Sequence, residues 1–70
     1  MAVSRGKALL SQSNPDPDEI AKSITALNTD RDHIRKCIKA GLRDYDSGQA
    51  AINEISALIK DLEEKCQNTN

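Results

Sequence analysis

His33 and Cys37 are the side chains of this sequence whose spacing suggests metal or thiol chemistry. They are four residues apart, and on a helix that spacing places both on one face, where they can ligate a metal ion or pair as base and nucleophile. Neither a further ligand nor a residue that would orient a catalytic pair lies nearby in the sequence. We therefore predict a surface histidine beside a packed thiol, with no metal, no cofactor and no catalytic residue, in a protein that is not an enzyme.

Basic residues are concentrated between Arg31 and Arg43, where Asp32 is the only acid. Residues spaced by four lie on one side of a helix, so these cations form a basic stripe. The stripe is either a solvated face whose charges pair with acids such as Glu63 or Glu64, or a binding site for an anionic partner. Beyond Arg31, its members are Arg35, Lys36, Lys39 and Arg43.

Tyr45 is the only aromatic residue of the chain. A tyrosine supplies a large contact area at a small cost in conformational entropy, which is typical of interface anchors, although it can also cap the end of a helical core. We place it with the basic stripe, so that the predicted partner-binding set is Arg35, Lys36, Lys39, Arg43 and Tyr45.

The overall charge favours a protein partner over nucleic acid. The net charge of −1 and the pI of about 5.7 are too balanced for bulk electrostatic coating of nucleic acid, and no known nucleic-acid reader motif is present. We predict a non-enzymatic interaction protein, a homo-oligomeric adaptor or inhibitor that binds and regulates another protein through its outer faces. Nucleic-acid or nucleotide binding through the basic stripe is the alternative, and purely structural coiled-coil assembly is the third possibility.

Membrane and export signals are weak in this sequence. No run approaches the roughly 20 apolar residues of a membrane span, and Ala8, Leu9 and Leu10 are too few for the core of a signal peptide. We therefore expect a cytoplasmic protein that does not bind membranes. In that compartment, two cysteines are expected to stay reduced.

The two ends of the chain are predicted to be irregular. Residues 1–15 lack a sustained apolar period and are rich in Ser, Gly, Asn and Pro, so we predict a flexible N-terminal arm. The alternative is a short docking helix around Leu9 and Leu10, flanked by Arg5 and Lys7. Residues 68–70 are predicted to be a tail.

Between these ends, residues 16–67 are predicted to form an all-α domain. Asp16, Pro17 and Glu19 provide an N-cap, a first-turn proline and a capping-box acid. From Ile20 onward the apolar residues step by four and three, a coiled-coil-like heptad pattern interrupted by Arg31. The a positions are Ile24, Arg31, Ile38, Tyr45, Ile52, Ile59 and Cys66, and the d positions are Ile20, Leu27, Ile34, Gly41, Gly48, Ile55 and Leu62.

Turn-forming residues between Asp44 and Gly48 favour a helical hairpin over one long helix. We predict a first helix over 17–44, a turn over 45–48 and a second helix over 49–66, with Asp46 as its cap and Gln49 as the capping-box partner. A second break at Thr29 would give three helices. Without any break, the chain would be a continuous coiled coil.

A chain of 70 residues buries too small a share of its surface to be comfortably stable alone. Two helices packed only on each other leave one side of the apolar ridge in water, so we expect a second copy to cover it in a dimeric four-helix bundle. The predicted oligomer interface consists of Ile20, Ile24, Leu27, Arg31, Ile34, Ile38, Leu42, Ile52, Ile55, Leu58, Ile59 and Leu62.

Arg31 is the charged exception within this ridge. One interpretation places its aliphatic stem on the edge of the seam and its guanidinium in solvent or on a carboxylate such as Asp30 or Glu63. The other buries the charge against a partner, which would fix the pairing and register of the helices.

Overall fold

Three α-helices account for most of the chain in a computed structural model that describes residues 2–68, without the side chains of residues 2 and 68. Helix α1 spans Ala2–Ser11, α2 spans Pro17–Lys39 and α3 spans Tyr45–Asn68. No strand occurs within these residues, which confirms the all-α class. None of the three helices is both long and apolar enough to cross a bilayer. Apart from Asn68, which ends α3, the predicted tail lies outside the described residues.

Helix α2 begins at the predicted capping signal. Asp16 is the N-cap, its carboxylate accepts a hydrogen bond of 3.0 Å from the Asp18 N–H, and Pro17 occupies the first turn. The alternative with a second break at Thr29 is wrong, because α2 continues through that residue. The Thr29 hydroxyl donates to the Thr25 carbonyl of the preceding turn at 3.1 Å, so its side chain is engaged within the helix and caps no new one.

The turn lies earlier in the chain than predicted, because Gly41 rather than Gly48 reverses the backbone. Gly41 has a φ of +74°, and the N–H of Leu42 donates to the Cys37 carbonyl at 2.9 Å, which ends α2 in a Schellman-type arrangement. Asp44, not Asp46, then caps α3 by accepting from the Ser47 N–H at 3.1 Å. The predicted bounds of 17–44, 45–48 and 49–66 are shifted accordingly, and Gly48 lies inside α3.

Helices α2 and α3 pack side by side as an antiparallel hairpin. Near the turn, the side chain of Ile38 lies against Gly48. At the other end, Pro17 and Cys66 line the same groove. The alternative of one continuous helix is therefore wrong. The buried hydrophobic side chains of the core are Leu9, Ile20, Leu27, Ile34, Ile52, Ile55, Leu58, Ile59 and Leu62.

Residues predicted to be a flexible arm form helix α1, which packs on both other helices. Gly6 permits the contact, since a Cβ at that position would lie 2.9 Å from Leu58 Cδ2 and 3.5 Å from Leu27 Cδ1. Leu9, one turn further along α1, is buried in the core, and Val3 and Leu10 pack partly against it. The arm thus supplies part of the cover that the apolar ridge requires.

Candidate protein-binding surface at the hairpin tip

The hairpin tip, which we define as residues 39–46, carries the exposed large hydrophobic side chains of the described chain. These are Leu42, with 80% of its surface exposed, and Tyr45, with 64%. Leu42 is exposed because α2 ends at Lys39 and the reversal at Gly41 directs the next residue outward. The sequence pattern predicts Leu42 in the oligomer interface, on a helix that continues to residue 44. The overlooked signal is Gly41, two residues after the basic helix end at Lys39.

Beside Tyr45, a shallow groove of about 310 Å³ runs between α2 and α3. Ile38 and Ile52 provide its apolar surface, and Arg35 and Lys39 provide its cations. The groove is open enough to receive an apolar side chain of a partner, and carboxylates next to that side chain would meet the cations. The full lining of this tip groove is Arg35, Ile38, Lys39, Tyr45, Gln49 and Ile52.

Arg35, Lys39 and Arg43 form no ion pair with any described residue. Pairing with Glu63 or Glu64 is one interpretation of the sequence, but Glu63 lines a groove beside Pro17 at the opposite end of the hairpin. Intramolecular pairing with that acid is therefore excluded by distance along the helices, and all three cations remain exposed.

Lys36 is the member of the predicted binding set that the structure separates from the others. Its Nζ lies 3.5 Å from the Asp32 carboxylate, one turn earlier on α2, and it does not line the tip groove. The structure therefore brings Arg35, Lys39 and Tyr45 into one groove and leaves Arg43 nearby on the exposed turn.

Most of the predicted oligomer interface lies inside the chain's own core. Ile24 and Ile38 are partly buried against that core, Arg31 is half-buried and Leu42 is exposed. The remaining eight residues are buried within the three helices of one chain: Ile20, Leu27, Ile34, Ile52, Ile55, Leu58, Ile59 and Leu62.

Arg31 bridges the two long helices through neutral oxygen atoms. Its Nη1 donates to Ser56 Oγ on α3 at 3.1 Å, and its Nη2 donates to Asn28 Oδ1 at 2.6 Å. The carboxylate partners considered from the sequence, Asp30 and Glu63, do not pair with it in the described residues. The Arg31 guanidinium thus has two hydrogen-bond partners within one chain.

His33 and Cys37 lie together on α2, with 3.6 Å between His33 Nε2 and Cys37 Sγ. His33 is exposed and Cys37 is half-buried. No cluster of three or more potential metal ligands occurs among residues 2–68. Cys66 lies beside Pro17 at the far end of the hairpin, so the two sulfur atoms are too far apart for a disulfide within one chain.

No protein-family model, curated protein or solved structure matches the chain.

Proposed function

We propose that this chain is a non-enzymatic interaction protein, an adaptor or inhibitor that binds and regulates another protein through its hairpin tip. The exposure of Leu42 and Tyr45 at that tip carries the proposal. Exposed large side chains are informative when they are grouped and rimmed by polar groups, because such groups mark interaction sites. Here the rim is supplied by Arg35, Lys39 and Arg43, whose charges no described carboxylate neutralises.

The chemistry of the tip favours an acidic partner segment that also presents an apolar side chain. An apolar group placed against Ile38 and Ile52 would be sheltered by the ring of Tyr45, and aromatic anchors of this kind contribute strongly to interfaces. Carboxylates beside that group would bind Arg35 and Lys39 with little loss of existing pairing.

Acidic residues at the tip argue against a nucleic-acid partner. Asp44 and Asp46 lie within two residues of Tyr45 and reduce the net positive charge that a phosphate backbone would meet. A protein partner can match such a mixed pattern of charges residue by residue, whereas a polyanion cannot. Nucleic-acid binding through Arg35, Lys39 and Arg43 therefore stays the alternative, and it predicts a steep loss of affinity with salt.

Self-association into a four-helix bundle is a separate proposal, and it has less support than the sequence alone suggested. It depended on an apolar ridge without cover, and α1 now covers part of that ridge with Gly6 and Leu9. Sedimentation equilibrium of the full chain tests it directly. A dimer at micromolar concentration would support an oligomeric adaptor or an assembly module, and a monomer at millimolar concentration would leave the tip as the proposed interaction surface.

Binding of a partner through the tip can be tested with matched surface variants. A tagged chain is used to capture partners in the source cell, and the affinity of the captured protein is then measured with purified components. We expect Lys39→Glu and Tyr45→Ala each to weaken binding at least about 10-fold, since hot-spot losses of about 1.4 kcal/mol or more are typical. Lys22→Glu has the same charge change on an exposed part of α2 away from the tip and should bind normally. Equal affinity of all four chains would contradict the proposal.

A further inference from the structure

Helix α1 packs on both long helices, but it does so with few large apolar side chains. Among residues 3–11, Leu9 is the one large side chain that is buried, while Val3 and Leu10 are only partly buried. A ten-residue helix that contains Gly6 has little intrinsic helical stability and depends on its packing. Local opening of α1 should therefore require less free energy than unfolding of the two long helices.

The ion pairs of α1 are exposed and add little to its attachment. Arg5 Nη2 lies 2.7 Å from Glu19 Oε2 of α2, and the two side chains are 65% and 36% exposed. Lys7 Nζ lies 3.1 Å from Glu54 Oε1 of α3, and these side chains are 63% and 55% exposed. Water and salt screen such exposed pairs, so the two glutamates contribute little to the binding free energy of a helix at this surface. Their main effect is to favour a basic helix over an acidic one.

The surface beneath α1 has the features of a groove that accepts a helix. Leu27 and Leu58 form its floor against Gly6, and Glu19 and Glu54 stand on its two rims. At one end, the Lys65 ammonium donates to the Leu10 carbonyl at 3.1 Å, where the last carbonyls of a helix need donors. We call this surface the α1 groove.

We infer that the α1 groove is a docking site for a short basic amphipathic helix of another protein, and that α1 is the chain's own competing occupant. The required helix carries a small residue over Leu58, a cation on each flank for Glu19 and Glu54, and an apolar residue one turn later, as α1 does with Gly6 and Leu9. Charge complementarity carries this choice of partner, because both rims are acidic. The α1 groove is distinct from the basic hairpin tip. It favours a basic partner, whereas the tip favours an acidic one.

The short connection to α2 regulates access to this groove. Only Gln12 to Asp16 separate the two helices, and a tether of that length keeps α1 at a high effective concentration over the groove. A partner helix therefore succeeds only if it binds more tightly than α1 or is present in excess. When the attachment of α1 is weakened, a larger fraction of molecules has an open α1 groove. The apparent affinity of the partner helix rises in proportion to that fraction.

A labelled peptide of residues 2–12 serves as the probe, with fluorescence anisotropy as the measurement on full chains. Gly6→Leu displaces α1 by placing a large side chain against Leu58, and the double change Arg5→Glu with Lys7→Glu displaces it by repulsion from both rims. We expect each variant to bind the peptide at least 10-fold more tightly than the natural sequence does. The matched control Lys22→Glu with Lys60→Glu has the same net charge as the double variant and should bind like the natural sequence.

Specificity is tested with a peptide in which Arg5 and Lys7 are both glutamate. We expect it to bind more weakly than the natural-sequence peptide, because it would face Glu19 and Glu54 with like charges. Equal binding of the two peptides would show adhesion to apolar surface only and would overturn the inference. A doubled mass of the natural chain, caused by exchange of α1 between copies, would overturn the assignment of the groove to another protein.

Hydrogen exchange of the natural chain provides a test that does not depend on folding of the variants. We expect the amides of α1 to exchange at least 10-fold faster than the protected amides of α2 and α3, because α1 opens without them. Exchange of all three helices in one global step would make α1 a fixed part of the core and would overturn the inference. Loss of tip binding in the experiments on Lys39 and Tyr45 would leave this result unaffected, because the two surfaces are separate.

Discussion

Ile38 of α2 packs directly onto Gly48 of α3, so closely that a Cβ at Gly48 would lie 2.5 Å from Ile38 Cδ1 and 2.7 Å from Ile38 Cγ1. A glycine inside a helix costs roughly 1 kcal/mol relative to alanine, and here the close approach of the two helices near the tip requires it. The close approach of α2 and α3 near the tip therefore depends on glycine, which has no Cβ, at position 48.

Gly48→Ala is expected to lower the free energy of unfolding by about 1 to 2 kcal/mol, because overpacking outweighs the gain in helix propensity. Urea denaturation measures the change. Ile38→Val removes Cδ1, the nearest atom, and should restore part of the stability in the double variant. Additive effects of the two substitutions would show that Gly48 and Ile38 are not coupled.

Gly41→Ala is expected to destabilise the chain for a different reason. Nothing lies within 4 Å of a Cβ at Gly41, but its φ is +74°, a conformation that costs L-residues about 1 to 2 kcal/mol. Gly41→Asn should cost less, since asparagine tolerates this region better. Thermal denaturation of the two variants checks the order, and an unchanged melting temperature for Gly41→Ala would contradict this account of the turn.

Some elements of this fold are predictable because their causes are local. Asp16 and Pro17 cap and start α2 through contacts within one turn. The position of the tip was not predictable in the same way, because Gly41 and Gly48 are both suitable turn residues. Packing of Ile38 against Gly48 decides between them, and that contact joins residues of two different helices.

Helix α1 and the candidate site show the same limit of local prediction. A segment with Gly6 and Pro15 has a weak helical pattern, and it becomes helical because Leu27 and Leu58 offer it an apolar surface. Of the predicted binding set, the structure brings Arg35, Lys39 and Tyr45 together. The four-residue spacing puts Arg35 and Lys39 on one side of α2, and the hairpin turn places Tyr45 of α3 beside them. The exposure of Leu42 depends on where α2 ends, and the heptad pattern did not indicate that end although Gly41 is a local signal for it.

Ser23 is buried, with 2% of its surface exposed, and its hydroxyl has no hydrogen-bond partner among the described residues. A buried polar group in that state reduces stability. Ser23→Ala keeps a small side chain and is expected to raise the free energy of unfolding by about 1 kcal/mol. The control Ala26→Ser adds a hydroxyl at an exposed position of the same helix and should change little. A clear loss of stability in Ser23→Ala would mean that the hydroxyl is satisfied.

The bridge from Arg31 to Ser56 is expected to couple α2 and α3 by about 0.5 to 1.5 kcal/mol, as is usual for a hydrogen bond of this kind. A double-mutant cycle with Arg31→Leu and Ser56→Ala isolates that coupling by chemical denaturation. Sedimentation of Arg31→Leu should also leave the oligomeric state unchanged, because the two hydrogen bonds of the guanidinium are made within one chain. A change in that state would restore a role for Arg31 in pairing between copies.

Nucleic-acid binding at the tip is expected to be weaker than a Kd of about 100 µM at physiological salt, the weak end of ordinary non-specific binding. Only Lys39 and Arg43 at the tip and Arg35 beside it are available among the described residues, and Asp44 and Asp46 oppose them. Anisotropy with labelled single-stranded and duplex oligonucleotides measures this across a salt series, with Lys39→Glu and Lys22→Glu as a matched pair. Three results together would instead make the tip a nucleic-acid site. The affinity would be micromolar, and the logarithm of the affinity for duplex DNA would fall with the logarithm of salt concentration with a slope near −3 (roughly −0.9 per neutralised phosphate). That slope would become shallower in Lys39→Glu and not in Lys22→Glu.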